Sequence, residues 1–176
     1  MSVKDSAARY GAVSRVLHWG MALLLLWQFL GAGARLLLED TPIEAFFWST
    51  HKPLGFLLFA LIWLRLLWAL LNLQRRPASV GLPATLGHLG LYALLIAVPG
   101  LALLRQYGSG RAFEPFGLPL MAGFDGKIEW MTNLGNALHS WLGWALLVLI
   151  VGHVFMALLH RHSAGHTDVL PRMWGK

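Results

Sequence analysis

Four runs of apolar residues, separated by shorter polar stretches, organise this chain. They cover residues 14–34, 51–71, 85–104 and 137–160. A helix needs about 20 mainly apolar residues to cross a bilayer, so each run predicts one membrane-spanning helix. The expected fold is all-α: an integral membrane four-helix bundle, with residues 1–176 forming one transmembrane domain. The last run lies in NALHSWLGWALLVLIVGHVFMALLH at 136–160, which holds His139 and His153. Fourteen residues of helix place these imidazoles about 21 Å apart along the axis and within about 40° of one another around it. One histidine then sits near each side of the hydrocarbon core, on one helix face. Ionisable groups at such depth are costly and mark function.

The connections carry their own signals. Residues 1–13 read as a polar tail. Residues 36–50, with Glu39, Asp40, Glu44 and Trp48, read as an acidic, aromatic loop. On that reading His51 opens the second span, and Pro53 falls in its first turn, where a missing N–H costs nothing. Residues 72–84 (NLQRRPASVGLPA) form a basic, turn-rich link. The third span opens near His88, with a kink expected at Pro99. The connection 105–135 is too long for an ordinary loop and is expected to form a short amphipathic element on the bilayer surface. A polar tail begins at Arg161.

Composition narrows the class. With 57% hydrophobic and 12% charged residues, the chain has little beyond spans and connections. The first run is of span length and lacks a small-residue cleavage site, so it reads as a retained span. The net charge of +6 lies between apolar runs, which points to membrane orientation and away from nucleic acid. With both termini inside, eight Lys and Arg lie on cytoplasmic segments and five on outer loops (Arg35, Lys52, Arg105, Arg111 and Lys127). That bias predicts an N-in, C-in bundle. There is no cysteine, which excludes disulfides, thiolate-bound clusters and covalently attached c-type haem.

Under this topology the histidines sort by depth. His51 and His139 share the outer level, and His18 and His153 share the inner one. Each level offers two imidazoles from different helices, one for each face of a six-coordinate b-type haem iron, which suits electron transfer better than oxygen chemistry. Two haems b are therefore expected. Gly20, Gly55, Gly87, Gly90, Gly143 and Gly152 would let flat macrocycles lie close to the helices, although small residues also serve ordinary helix packing. Arg65 is expected at the inner level as a partner for a haem propionate or a headgroup. Lys52 and Arg35 are the outer counterparts. His88 reads either as an interfacial hydrogen-bonding residue or as a further ligand. His160, His162 and His166 read as solvated, and Trp19, Trp48, Trp68 and Trp130 as interface anchors.

These residues resemble the bacterial cytochrome b561 family, related to the di-haem subunits of hydrogenases and formate dehydrogenases. The resemblance is carried by SRVLHW at 14–19, HKPLGFLLFALIWLRLLW at 51–68, GHLGLYALLIAVPGLALL at 87–104, HSWLGWALLVLIVGH at 139–153 and DVLPRM at 168–173. It implies the same pairing, His18 with His153 and His51 with His139, and places His88 near a quinone or haem edge. It also implies an oxidoreductase of the superoxide:ubiquinone type, taking electrons from a small periplasmic donor such as superoxide and passing them to ubiquinone in the bilayer. The expected quinone site is inner, near His88 and Arg15. The competing reading is a membrane anchor and electron-relay subunit of a separate dehydrogenase or hydrogenase.

Overall fold

The computed structural model describes residues 2–163 and 167–174. Four long helices follow in order: α1 (Ala12–Leu37), α2 (Pro42–Leu71), α3 (Leu82–Gly108) and α4 (Glu129–His162). All four are long and apolar enough to cross a membrane. Among the described residues there is no strand, only one isolated bridge between Phe113 and Met121. The chain is therefore all-helical and multi-pass. His166 lies outside the described residues.

α2 begins earlier than expected. Thr41 caps it by accepting from the Glu44 N–H at 3.3 Å, and Pro42 takes the first turn. The segment 36–50 is thus mostly helix rather than loop, and His51 and Pro53 are interior residues. Pro53 deprives the Ser49 carbonyl of its intrahelical donor. α1 braces α2 at that point: Trp27 Nε1 donates to Thr50 Oγ1 and Gln28 Nε2 to the His51 carbonyl, both at 2.9 Å. The sequence held a signal for this start, because Thr41-x-x-Glu44 with Pro between them is the pattern of a capping box.

α1 packs on α2, α2 on α3, and α3 on α4, whereas α1 and α4 share no extended packing. The buried centre is Met21, Leu58 and Ile62, with Leu24, Leu25, Leu61, Tyr92, Leu95 and Ile96 against it. Every one of these belongs to α1, α2 or α3. α4 leans on α3 at two glycines instead: a Cβ on Gly135 would stand 2.5 Å from the Arg105 Cβ, and one on Gly108 2.5 Å from the Met131 Cβ.

The connection between α3 and α4 is not an amphipathic helix. It folds back through the Phe113–Met121 bridge and a 3-10 turn at Pro115–Gly117, and Phe113 packs on Phe56 of α2. Gly110, Gly117, Gly123 and Gly126 all take positive φ, a conformation that breaks helix propagation.

Both termini meet at the other end of the bundle. The buried Asp5 carboxylate accepts from the Gly11 N–H at 2.8 Å and the Ser14 hydroxyl at 2.7 Å, and it pairs with Arg76 at 3.3 Å. Trp68 Nε1 donates to the Ser14 hydroxyl at 3.0 Å. The C-terminal residues return to this cap: Tyr10 N–H donates to the Arg172 carbonyl, Arg172 to the Ala78 carbonyl, and Trp19 Nε1 to the Met173 carbonyl. Of the four expected interface tryptophans, Trp19, Trp48 and Trp68 make specific contacts within the chain, and Trp19, Trp48 and Trp130 are exposed.

Candidate metal centres at the two ends of the bundle

Helix continuity decides where the histidines stand. α4 runs unbroken past both His139 and His153, so the two rings lie about 21 Å apart along it. At the end carrying the α1–α2 and α3–α4 connections, His51 of α2 faces His139 of α4, with ring centres 6.2 Å apart and planes crossing at 87°. At the end carrying the termini, His18 of α1 faces His153 of α4 across the unpacked side of the bundle, also at 6.2 Å. His88 of α3 joins that second pair, 5.4 Å from His153.

The spacing is informative. Two imidazoles on opposite sides of one metal ion, with metal–nitrogen bonds of about 2 Å and ring centres roughly 1 Å behind the nitrogens, have centres about 6 Å apart. Both pairs match that separation. His139 Nδ1 donates to the Val98 carbonyl at 3.0 Å, because a carbonyl only accepts. That fixes the tautomer and leaves Nε2 as an unprotonated donor to metal, the orientation that backbone carbonyls commonly give to ligating histidines. His18 and His51 each bury an Nδ1 without a hydrogen-bond partner. Such burial costs about 1–3 kcal/mol and asks for an explanation.

Among the described residues no three His, Cys, Asp or Glu side chains converge to hold a metal ion by themselves. Paired imidazoles suit a haem iron, which takes its remaining four ligands from the macrocycle. The glycines beside the histidines divide into two groups. A Cβ on Gly20, Gly87, Gly143 or Gly152 would meet nothing within 4 Å, so these positions border open space. Gly55 and Gly90 are packing positions, facing Gln28 at 3.5 Å and Leu149 at 3.2 Å. The chain's donors and its open glycines fit haem.

The cations are distributed unevenly. Arg65 lies over the Tyr92 ring at 5.6 Å, within electrostatic reach of His18, His88 and His153. Among the described residues no carboxylate is within 4.0 Å of it. Lys52 donates to the Gln106 side chain at 3.1 Å, bridging α2 and α3 beside His51. Arg35 is already neutralised by Glu44 at 2.7 Å and Glu39 at 3.8 Å. Arg15 lines an open groove of about 390 Å³ with Val16, Trp19, Met173 and Trp174. His88 does not line that groove; at the termini end Arg15 lies one turn from His18, and His88 packs against His153. Sequence reasoning reads Trp48 as an interface anchor and passes over Gln28; the extension of α2 back to Pro42 sets Trp48 on His51, and the packing of α1 on α2 brings Gln28 to the His51 carbonyl.

Comparison with known proteins identifies the family. Residues 9–176 match the family described as prokaryotic cytochrome b561. Over 187 aligned positions the chain is 31% identical to cytochrome b561 homolog 2 of Escherichia coli (strain K12), an alignment covering 100% of this chain and 96% of that relative. Spanning helices, paired histidines and a match over almost the whole length place the chain in the prokaryotic cytochrome b561 family, as a multi-pass membrane protein of electron transfer for which the family implies b-type haem.

Proposed function

We propose that this chain binds two haems b and carries electrons from a small periplasmic donor to ubiquinone in the bacterial inner membrane. The observation that supports it most is the pair of 6.2 Å histidine contacts, one at each end of the bundle. On this reading His51 and His139 hold the outer haem and His18 and His153 the inner one, with the termini on the cytoplasmic side. Bound haem would supply reversible one-electron iron chemistry, and the paired imidazoles are the residues that would hold it. Arg65 is the cation for the inner propionates and Lys52 for the outer ones.

The remaining chemistry belongs to side chains. Two superoxide anions release two electrons and become two molecules of oxygen. Ubiquinone takes those two electrons with two protons and becomes the quinol. His88, beside His153 and near the membrane surface, is the group suited to deliver a proton to a quinone oxygen. Arg15, one turn before His18, offers that end a hydrogen-bond donor to a headgroup.

The test is a reduced-minus-oxidised spectrum with pyridine haemochrome quantitation on purified protein. Two haems b per chain are expected, with reduction by superoxide and reoxidation by ubiquinone. Absence of a Soret band would overturn the reading. A stoichiometric soluble subunit that co-purifies and alone reduces the haems would replace it with the membrane-anchor role.

A further inference from the structure

The outer extension of α2 places an aromatic ring flat against His51. Trp48 and His51 stack with ring centres 4.7 Å apart and planes 18° from parallel. Trp48 is held in turn: the Arg35 guanidinium lies over its ring at 5.3 Å, and Glu44 anchors that guanidinium at 2.7 Å. Behind the ring, Gln28 Nε2 grips the His51 carbonyl at 2.9 Å, and Trp27 grips Thr50 at the same distance. Opposite, the Val98 carbonyl orients His139. The two imidazole planes consequently cross at 87°. Among the described residues the histidines at the other end have no such stack: His18 meets Trp19 edge-on at 73°, and its plane crosses that of His153 at 69°.

We propose that Trp48, clamped by Arg35 and Glu44, is a positioning residue that sets the rotational angle of the His51 imidazole and so the near-perpendicular arrangement of the outer pair. An imidazole bound through one nitrogen is free to rotate about that bond, and nothing in the bond itself selects an angle. A stacked indole selects one, because turning the imidazole out of parallel drives its edge into the indole face. The cation over the indole, itself anchored by Glu44, restrains the indole in turn. Orientation of ligand imidazoles by surrounding groups is a general lever on haem electronics. This inference rests on the ligation of the outer haem by His51 and His139.

The experiment is electron paramagnetic resonance of the oxidised, purified protein, with haem content measured in parallel. The angle between two axial imidazole planes governs the anisotropy of a low-spin ferric signal, crossed planes giving the most anisotropic. Trp48→Leu is expected to keep two haems and to move the outer signal toward a less anisotropic shape, leaving the inner signal in place. Trp48→Phe, which restores a flat face, should move it back toward wild type. Arg35→Gln should shift it in the same direction as Trp48→Leu, by less. An outer signal identical in wild type and Trp48→Leu would overturn the proposal, as would equal loss of the outer haem from Trp48→Leu and Trp48→Phe. His51→Ala separates the two readings: if it leaves both haems bound, the ligand assignment has failed rather than the clamp.

Discussion

The two ends of the bundle hold histidine pairs at the same 6.2 Å but support them differently. The loop end is fastened on every side. His139 donates to Val98, His51 is stacked on Trp48 and held through its carbonyl by Gln28, and α3 and α4 touch at Gly108 and Gly135 just beyond. The termini end is looser around its histidines and richer in chemistry, with a third imidazole at His88, a cation at Arg65 and an open groove at Arg15. A centre that only passes electrons gains from rigid ligands. A centre beside which a quinone must arrive, take protons and leave needs access and a titratable neighbour. On the proposed function, the difference suits one end to transfer and the other to exchange.

The sharpest way to break this comparison is to remove one ligand from each end. His153→Ala is expected to lose the inner haem and keep the outer, while His139→Ala does the reverse, each halving the haemochrome yield. Retention of both haems in either variant would dissolve the pairing.

His88→Gln tests whether the third imidazole is a proton donor or a spare ligand. Haem content should be unchanged, and ubiquinone reduction should slow by about 10²-fold, the lower range for losing a general acid. Loss of a haem would instead make His88 a ligand.

Stability should be concentrated in the cap at the termini end. Asp5→Ala strips the partner from the buried side of Arg76 and two donors from their acceptor. Breaking a buried pair from one side costs about 3–5 kcal/mol, so a fall in thermal midpoint in detergent is expected. The His51–His139 haem should be spared in the protein that remains folded.

The smallest effect concerns the donor. Lys52 and Arg111 are cations at the loop end of the bundle, and attraction of a small anion by them is screened over about 8 Å at physiological ionic strength. Haem reduction by superoxide should decline a few-fold with added salt and in Lys52→Glu or Arg111→Glu. A rate indifferent to salt and to both reversals would favour a neutral donor or a docked subunit.

Much of this architecture was legible in the residues themselves. Span length follows from bilayer thickness, so four helices could be read from four apolar runs. Helical period converts the fourteen-residue spacing of His139 and His153 into two levels on one face. Those two constraints are local, and a linear pattern suffices to state them. Which imidazoles face one another is not local. That His88 comes nearer to His153 than His18 does, that α1 and α4 stay apart, and that Gly55 and Gly90 pack while Gly143 and Gly152 border space all depend on how helices lean on each other. The start of α2 lay between the two. Thr41 and Glu44 carry the capping pattern, but Glu39, Asp40 and Trp48 around it give the segment the composition of an acidic, aromatic loop. Helical period sets Trp48 beside His51 once α2 reaches back to Pro42, but only the tertiary structure could bring the C-terminal residues back onto Trp19, because packing sets that contact.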